Sequence, residues 1–97
     1  MKVMAIGTLP NPLSAEQQQR YMLKEASATL QLYLDGKIEQ FWFRGNREGV
    51  IFLMNVDSVD EADRLLKALP LGHDNLLTFD LLPIGPLLPL RVLMQSK

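Results

Sequence analysis

Apolar side chains along this chain recur at two spacings, and the alternation between those spacings marks out its elements. Residues 2–9, KVMAIGTL, are a short apolar run closed by Pro10-Asn11-Pro12, which holds the chain extended and predicts a first strand. Met22, Ala26, Leu30 and Leu34 then recur at every fourth position, the period of a helical stripe. Ser14 stands where an N-cap belongs, Gln17 completes a capping box, and Gly36 is placed to stop the helix, so residues 15–34 are predicted helical.

Residues 37–44, KIEQFWFR, are aromatic and suit a pleated strand. Gly45-Asn46-Arg47-Glu48-Gly49 supplies turn residues before the apolar run 50–56, which predicts a hairpin. Ser58 with Glu61 repeats the capping pattern, and Val59, Ala62, Leu65, Leu66 and Leu69 form a second helical stripe that Pro70 is expected to end. After a loop over 71–75, a last strand over 76–82 puts Leu77, Phe79 and Leu81 on one parity and Thr78 and Asp80 on the other.

The order βαββαβ predicts an α+β ferredoxin-like sandwich, a four-stranded antiparallel sheet with two helices on one face. The other face should be polar if it meets water. Instead, Val50, Phe52 and Met54 occupy one parity of the third strand, and Ile51 and Leu53 occupy the other. Both faces are therefore expected to be buried, and a second copy of the chain is the economical cover, giving a homodimer or larger homo-oligomer. Residues 1–83 form the expected domain. Residues 84–97, punctuated by Pro86 and Pro89, are expected to be an extended arm at the oligomer interface, because Pro83 should stop the last strand. Pro86 to Arg91 also fits the PxxPx[RK] form of proline-recognising domain ligands, a reading that the leucines around the prolines disfavour.

Composition narrows the function classes. A net charge of -1 offers no field to gather phosphates, so nucleic acid is not an expected partner. The absence of cysteine excludes disulfides, thiolate metal sites and cysteine nucleophiles, and fits a cytoplasmic home. The prolines and glycine of the apolar tail argue against a membrane-spanning helix. A single histidine without further ligands argues against a dedicated metal site, and no phosphate-binding or dinucleotide motif occurs, so no cofactor is expected.

The polar residues within strands are the candidate site. Thr78 and Asp80 share one face of the last strand, Gln40, Trp42 and Arg44 share one face of the second, and Asn55 ends the third. If all point to the open side, they line a small-molecule cavity between two sheets. Parity leaves the second strand open, since Phe41 and Phe43, with Glu39, could equally be the exposed set. Asp80 and His73, the latter beside Asp74, are the candidate proton-transfer groups. Arg44, Trp42, Gln40, Thr78 and Asn55 are the candidate binding groups, with blander roles open to each as strand formers, packing or surface residues.

FWFRG, MNVDSVDEADRLLKALPL and LLTFDLLPIGPL together resemble the muconolactone isomerase family within the dimeric α/β-barrel group. The most specific portion is the Leu-Pro after the second helix followed by Leu77, Thr78, Asp80 and Pro83. The resemblance implies a subunit that dimerises face to face. It also implies an isomerase that moves a double bond in an unsaturated lactone, or acts on a small carboxylated substrate, by cofactor-free proton transfer, with Arg44, Thr78 and Asp80 in the site. The alternative is a ligand-binding or assembly module of the same build without chemistry.

Overall fold

The computed structural model of the chain describes residues 1–85, so the expected interface arm from Pro86 onward and the PxxPx[RK] segment lie outside the described residues. The elements are β1 (Lys2–Thr8), α1 (Ala15–Leu34), β2 (Ile38–Phe43), β3 (Val50–Asn55), α2 (Val59–Lys67), α3 (Pro70–His73) and β4 (Thr78–Ile84). The strands pair antiparallel in the order β2-β3-β1-β4, the ferredoxin-like arrangement expected from the sequence.

The α1 limits follow from capping chemistry. The Gln17 N–H donates to Ser14 Oγ at 3.1 Å, and the Ser14 N–H donates to Gln17 Oε1 at 2.9 Å, which closes the capping box. At the other end Gly36 takes φ +78°, its N–H donates to the Tyr33 carbonyl, and the Lys37 N–H donates to that of Leu32, a Schellman stop. α2 is capped by Ser58 Oγ in the same way, but the Glu61 carboxylate reaches one residue further back, to the Asp57 N–H.

Two elements differ from expectation. Pro70 ends no helix but opens one: its fixed φ suits the first helical position and its missing N–H costs nothing there, so part of the 71–75 loop is the single turn α3. β4 also continues through Pro83 to Ile84, with Pro83 opposite Val3. Because β4 is an edge strand, the proline's lack of a donor removes no internal ladder bond.

Val3 and Ala5 of β1 and Phe52 and Met54 of β3 face the helices, where they pack with Ile38, Val56, Ala62, Leu66 and Leu69. A second cluster of Tyr21, Leu71 and Leu77 joins α1 to α3 and the start of β4. The opposite sheet face carries Met4, Ile6, Ile51 and Leu53, all partly exposed, and the exposed Leu82 and Ile84. It is apolar, and among the described residues no helix lies over it. Among the described residues no helix is long and apolar enough to cross a membrane.

Candidate functional site

The period-four stripe of α1 does not enter the core. Met22, Ala26 and Leu30 are exposed or line a cavity of about 680 Å³ between α1 and the β2–β3 hairpin. The reason lies in side-chain size: Ala26 and Thr29, at the middle of α1 on the side that lines the cavity, are too small to fill the space to the sheet. Tyr33 bridges that space further along, its ring 5.5 Å from that of Phe41. Phe41, Phe43, Val50 and Phe52 form the sheet side, and Leu9, Leu13, Leu71 and Leu77 close the end near α3.

Into this mainly apolar wall α1 projects Glu25. Its Oε1 accepts the Leu71 N–H at 2.9 Å, a donor in the first turn of α3 with no partner inside that helix. Burial pushes the Glu25 carboxyl above its ordinary value, and the Leu71 hydrogen bond opposes that shift only in part. The second carboxylate oxygen accepts no hydrogen bond among the described residues. A half-buried carboxyl with one oxygen held and one free, in an apolar cavity, has the build of a proton-transfer group. Gln18, Thr29, Trp42 and Glu48 are the other polar residues of the wall.

The residues nominated from the sequence sit mainly on the opposite face of the sheet. Register puts Trp42 opposite Ile51, Ile51 opposite Ile6 and Ile6 opposite Asp80, one row across the open side. Gln40 opposes Leu53 in the next row, and Asn55 opposes Lys2. The question of β2's faces is settled by a bulge between Ile38 and Gln40, which leaves Ile38 in the core and turns Gln40 and Trp42 to the open side. Glu39, at the bulge, pairs with Lys2 rather than travelling with Phe41 and Phe43. Trp42 also reaches the cavity wall, because β2 is an edge strand.

Arg44 Nη1 donates to Thr8 Oγ1 at 2.7 Å, and Nε donates to Asn46 Oδ1 at 3.3 Å. Thr8 opposes Thr78, so these three form a polar end to the open face. Arg44 reaches Thr8 across Gly49, where φ is +146° and a Cβ would lie 2.1 Å from the Gly7 carbonyl oxygen and 3.0 Å from Arg44 Cδ. Asp80 is exposed on edge strand β4, which is why an acid within LLTFDLLP needs no buried counter-charge; among the described residues it has no ion-pair partner. The His73 side chain is 78% exposed, with Nδ1 3.0 Å from Asp74 Oδ1. The Tyr21 hydroxyl donates to the other Asp74 oxygen, and these bonds, Tyr21 first, hold the Asp74 carboxyl below its ordinary value. The triplet ties α1 to α3 and lies outside the cavity wall.

Sequence reasoning missed Glu25. A carboxylate between Lys24 and Ala26 resembles a solvent-facing helix residue, yet the signal was present: Glu25 lies three positions after Met22 and four before Thr29, on the flank of the stripe.

The muconolactone delta-isomerase family model matches residues 2–86. Among solved structures, a crystal structure of muconolactone isomerase superposes with a TM-score of 0.75 at 16% identity, over 90% of this chain and 91% of that one. At that identity the likeness shows the fold alone. No curated protein sequence matches the chain.

Proposed function

Because the chain belongs to the muconolactone delta-isomerase family, we propose that it is a cofactor-free isomerase shifting a double bond in a small unsaturated lactone or a related carboxylated compound. The observation that carries this reading is Glu25, a carboxyl raised by burial that lines a cavity of ligand size and has one oxygen without a hydrogen bond among the described residues. The Glu25 carboxylate takes a proton from one end of the allylic system. The electron pair moves into a dienolate whose charge rests on the lactone oxygen, and Glu25 returns the proton two carbons away. Trp42, Thr29 and Gln18 are the wall residues whose side chains carry a donor that such an oxygen could accept from.

The test is incubation with an unsaturated lactone in deuterated buffer, followed by NMR. The expected result is double-bond migration with deuterium entering the allylic carbons faster than in buffer alone. Binding without either change would sink the catalytic reading and favour a ligand-binding module, for which the Glu25–Leu71 bond is simply a cap on α3.

The open face supports the second part of the proposal, a homo-oligomer in a cytoplasmic setting, which a cysteine-free chain fits. Met4, Ile6, Ile51 and Leu53 form an apolar centre, with Gln40, Asn55, Thr78 and Asp80 around it. Joining two such faces removes each centre from water at roughly 25 cal/mol per Å². Arg44, Thr78 and Asp80 then lie at the seam, where a second copy can complete a polar site. Sedimentation equilibrium is expected to show a dimer or larger assembly that Leu53→Lys converts to monomer; an unchanged mass in the variant removes this face as the interface.

A further inference from the structure

We infer that Tyr21 and Asp74 are positioning residues for Glu25: their hydrogen bond, made outside the cavity, anchors α3 and thereby keeps the Leu71 N–H on the Glu25 carboxylate. The inference deepens the reading of Glu25 as the proton-transfer group and rests on that reading for its kinetic consequence. α3 is a single turn, too short to hold its shape and place by helical bonds alone. Its attachments come from its neighbours. Tyr21 and Glu25 stand four positions apart on α1, so both reach out from the same side of that helix. Tyr21 donates to the Asp74 carboxylate at the end of the turn, and Glu25 accepts from Leu71 near its start, at 2.9 Å.

The turn links the two contacts. The Asp74 N–H donates to the Pro70 carbonyl at 3.2 Å and the His73 N–H to the Leu69 carbonyl at 2.7 Å, so a pull on Asp74 is carried to Leu71 within one turn of backbone. Tyr21 and Leu71 share a buried cluster with Leu77, which fixes the tyrosine ring and leaves its hydroxyl to make the directional contact. On the other side, Gly72 sits so close to the Leu66 carbonyl that a Cβ there would collide with it. That contact resists compression toward α2 but supplies no bond that draws α3 to α1, a part left to Tyr21 and Glu25. The Leu71 N–H favours the ionised carboxylate and opposes the upward push of burial. Loosening α3 removes that opposition, and Glu25 then holds its proton to a higher pH. Charged neighbours on the elements packed here are Arg20 and Lys24 of α1, Glu48 of the cavity wall, Lys67 of α2 and His73 of α3; replacing Tyr21 by phenylalanine alters none of them.

Carbon-13 NMR titration of the Glu25 carboxyl, assigned by its loss in Glu25→Gln, tests the inference without requiring turnover. Tyr21→Phe keeps the ring in the cluster and is expected to move the titration up by about half a pH unit or more. Asp74→Ala should move it the same way, although losing a nearby negative charge would by itself move it down. The double variant should go no further than Tyr21→Phe alone, because both changes remove one bond. An unchanged titration in Tyr21→Phe overturns the inference, as does a double variant that sums the two single shifts. With an unsaturated lactone as substrate, the acid limb of kcat/KM should rise with the Glu25 titration while the plateau at higher pH stays near native. A titration that moves while the acid limb stays, or without any turnover, upholds the anchor and removes Glu25 as the base.

Discussion

Glu25→Gln is expected to lower kcat by roughly 10²–10⁴, the usual contribution of a positioned acid–base group, while making the protein more heat-stable at neutral pH. The two effects have one cause. Glutamine keeps the shape and the acceptor oxygen that the Leu71 N–H needs, so the α3 contact survives, but it can neither take nor return a proton. In the native chain, burial makes the folded state hold the Glu25 proton more strongly than the unfolded state does. The stability contributed by the protonated carboxyl is therefore fully present below the ordinary value of 4.5 and is lost as pH rises through the higher folded value. The variant escapes that loss. Its Tm advantage should open above about pH 4.5 and level off once the native carboxyl is ionised. A variant with unchanged kcat rules Glu25 out as the base. A variant less stable at every pH would mean that the Leu71 contact, not the buried charge, dominates at this position.

Gly49→Ala is expected to destabilise the fold by about 2–5 kcal/mol, combining a strained backbone with an overpacked contact. The added methyl falls 2.1 Å from the Gly7 carbonyl oxygen, a main-chain atom of β1 that cannot swing aside, and the φ of +146° is one that alanine resists. It also meets Arg44 Cδ, so the Arg44–Thr8 bond should go with it. Gly45→Ala in the same turn is the control: its Cβ meets nothing within 4 Å, and the expected change is within about 0.5 kcal/mol. Urea unfolding of both variants makes the comparison. Equal midpoints would show that β1 and the hairpin can separate at no cost.

Most of the fold could be read from local chemistry. Ser14 with Gln17 and Gly36 fixed α1 to its observed limits because each acts within a few residues of itself. The face of β2 was not legible, because alternation is a two-residue rule and the bulge at Glu39 inserts one residue that breaks it. The cavity escaped notice for a related reason. A period-four stripe says that Met22, Ala26 and Leu30 share a side of α1, but whether that side meets solid core depends on the volume of what lies opposite, which periodicity does not encode. The polar residues within strands were visible as a set and fall together by register on the open face, whereas Glu25 acquires its chemistry from a helix more than forty residues away.

The two ends of the sheet carry a further consequence. An edge strand offers unpaired donors and acceptors to any passing chain, which is how folded proteins begin to stack into fibres. Here one edge holds Pro83, whose ring nitrogen has no hydrogen to give to an incoming strand, and the other is bent by the bulge and bears the charged Lys2–Glu39 pair beside it. Strand-by-strand growth is discouraged on both sides. A molecule with so apolar an open face can therefore be steered toward closed assembly through that face, and away from runaway polymerisation along its edges.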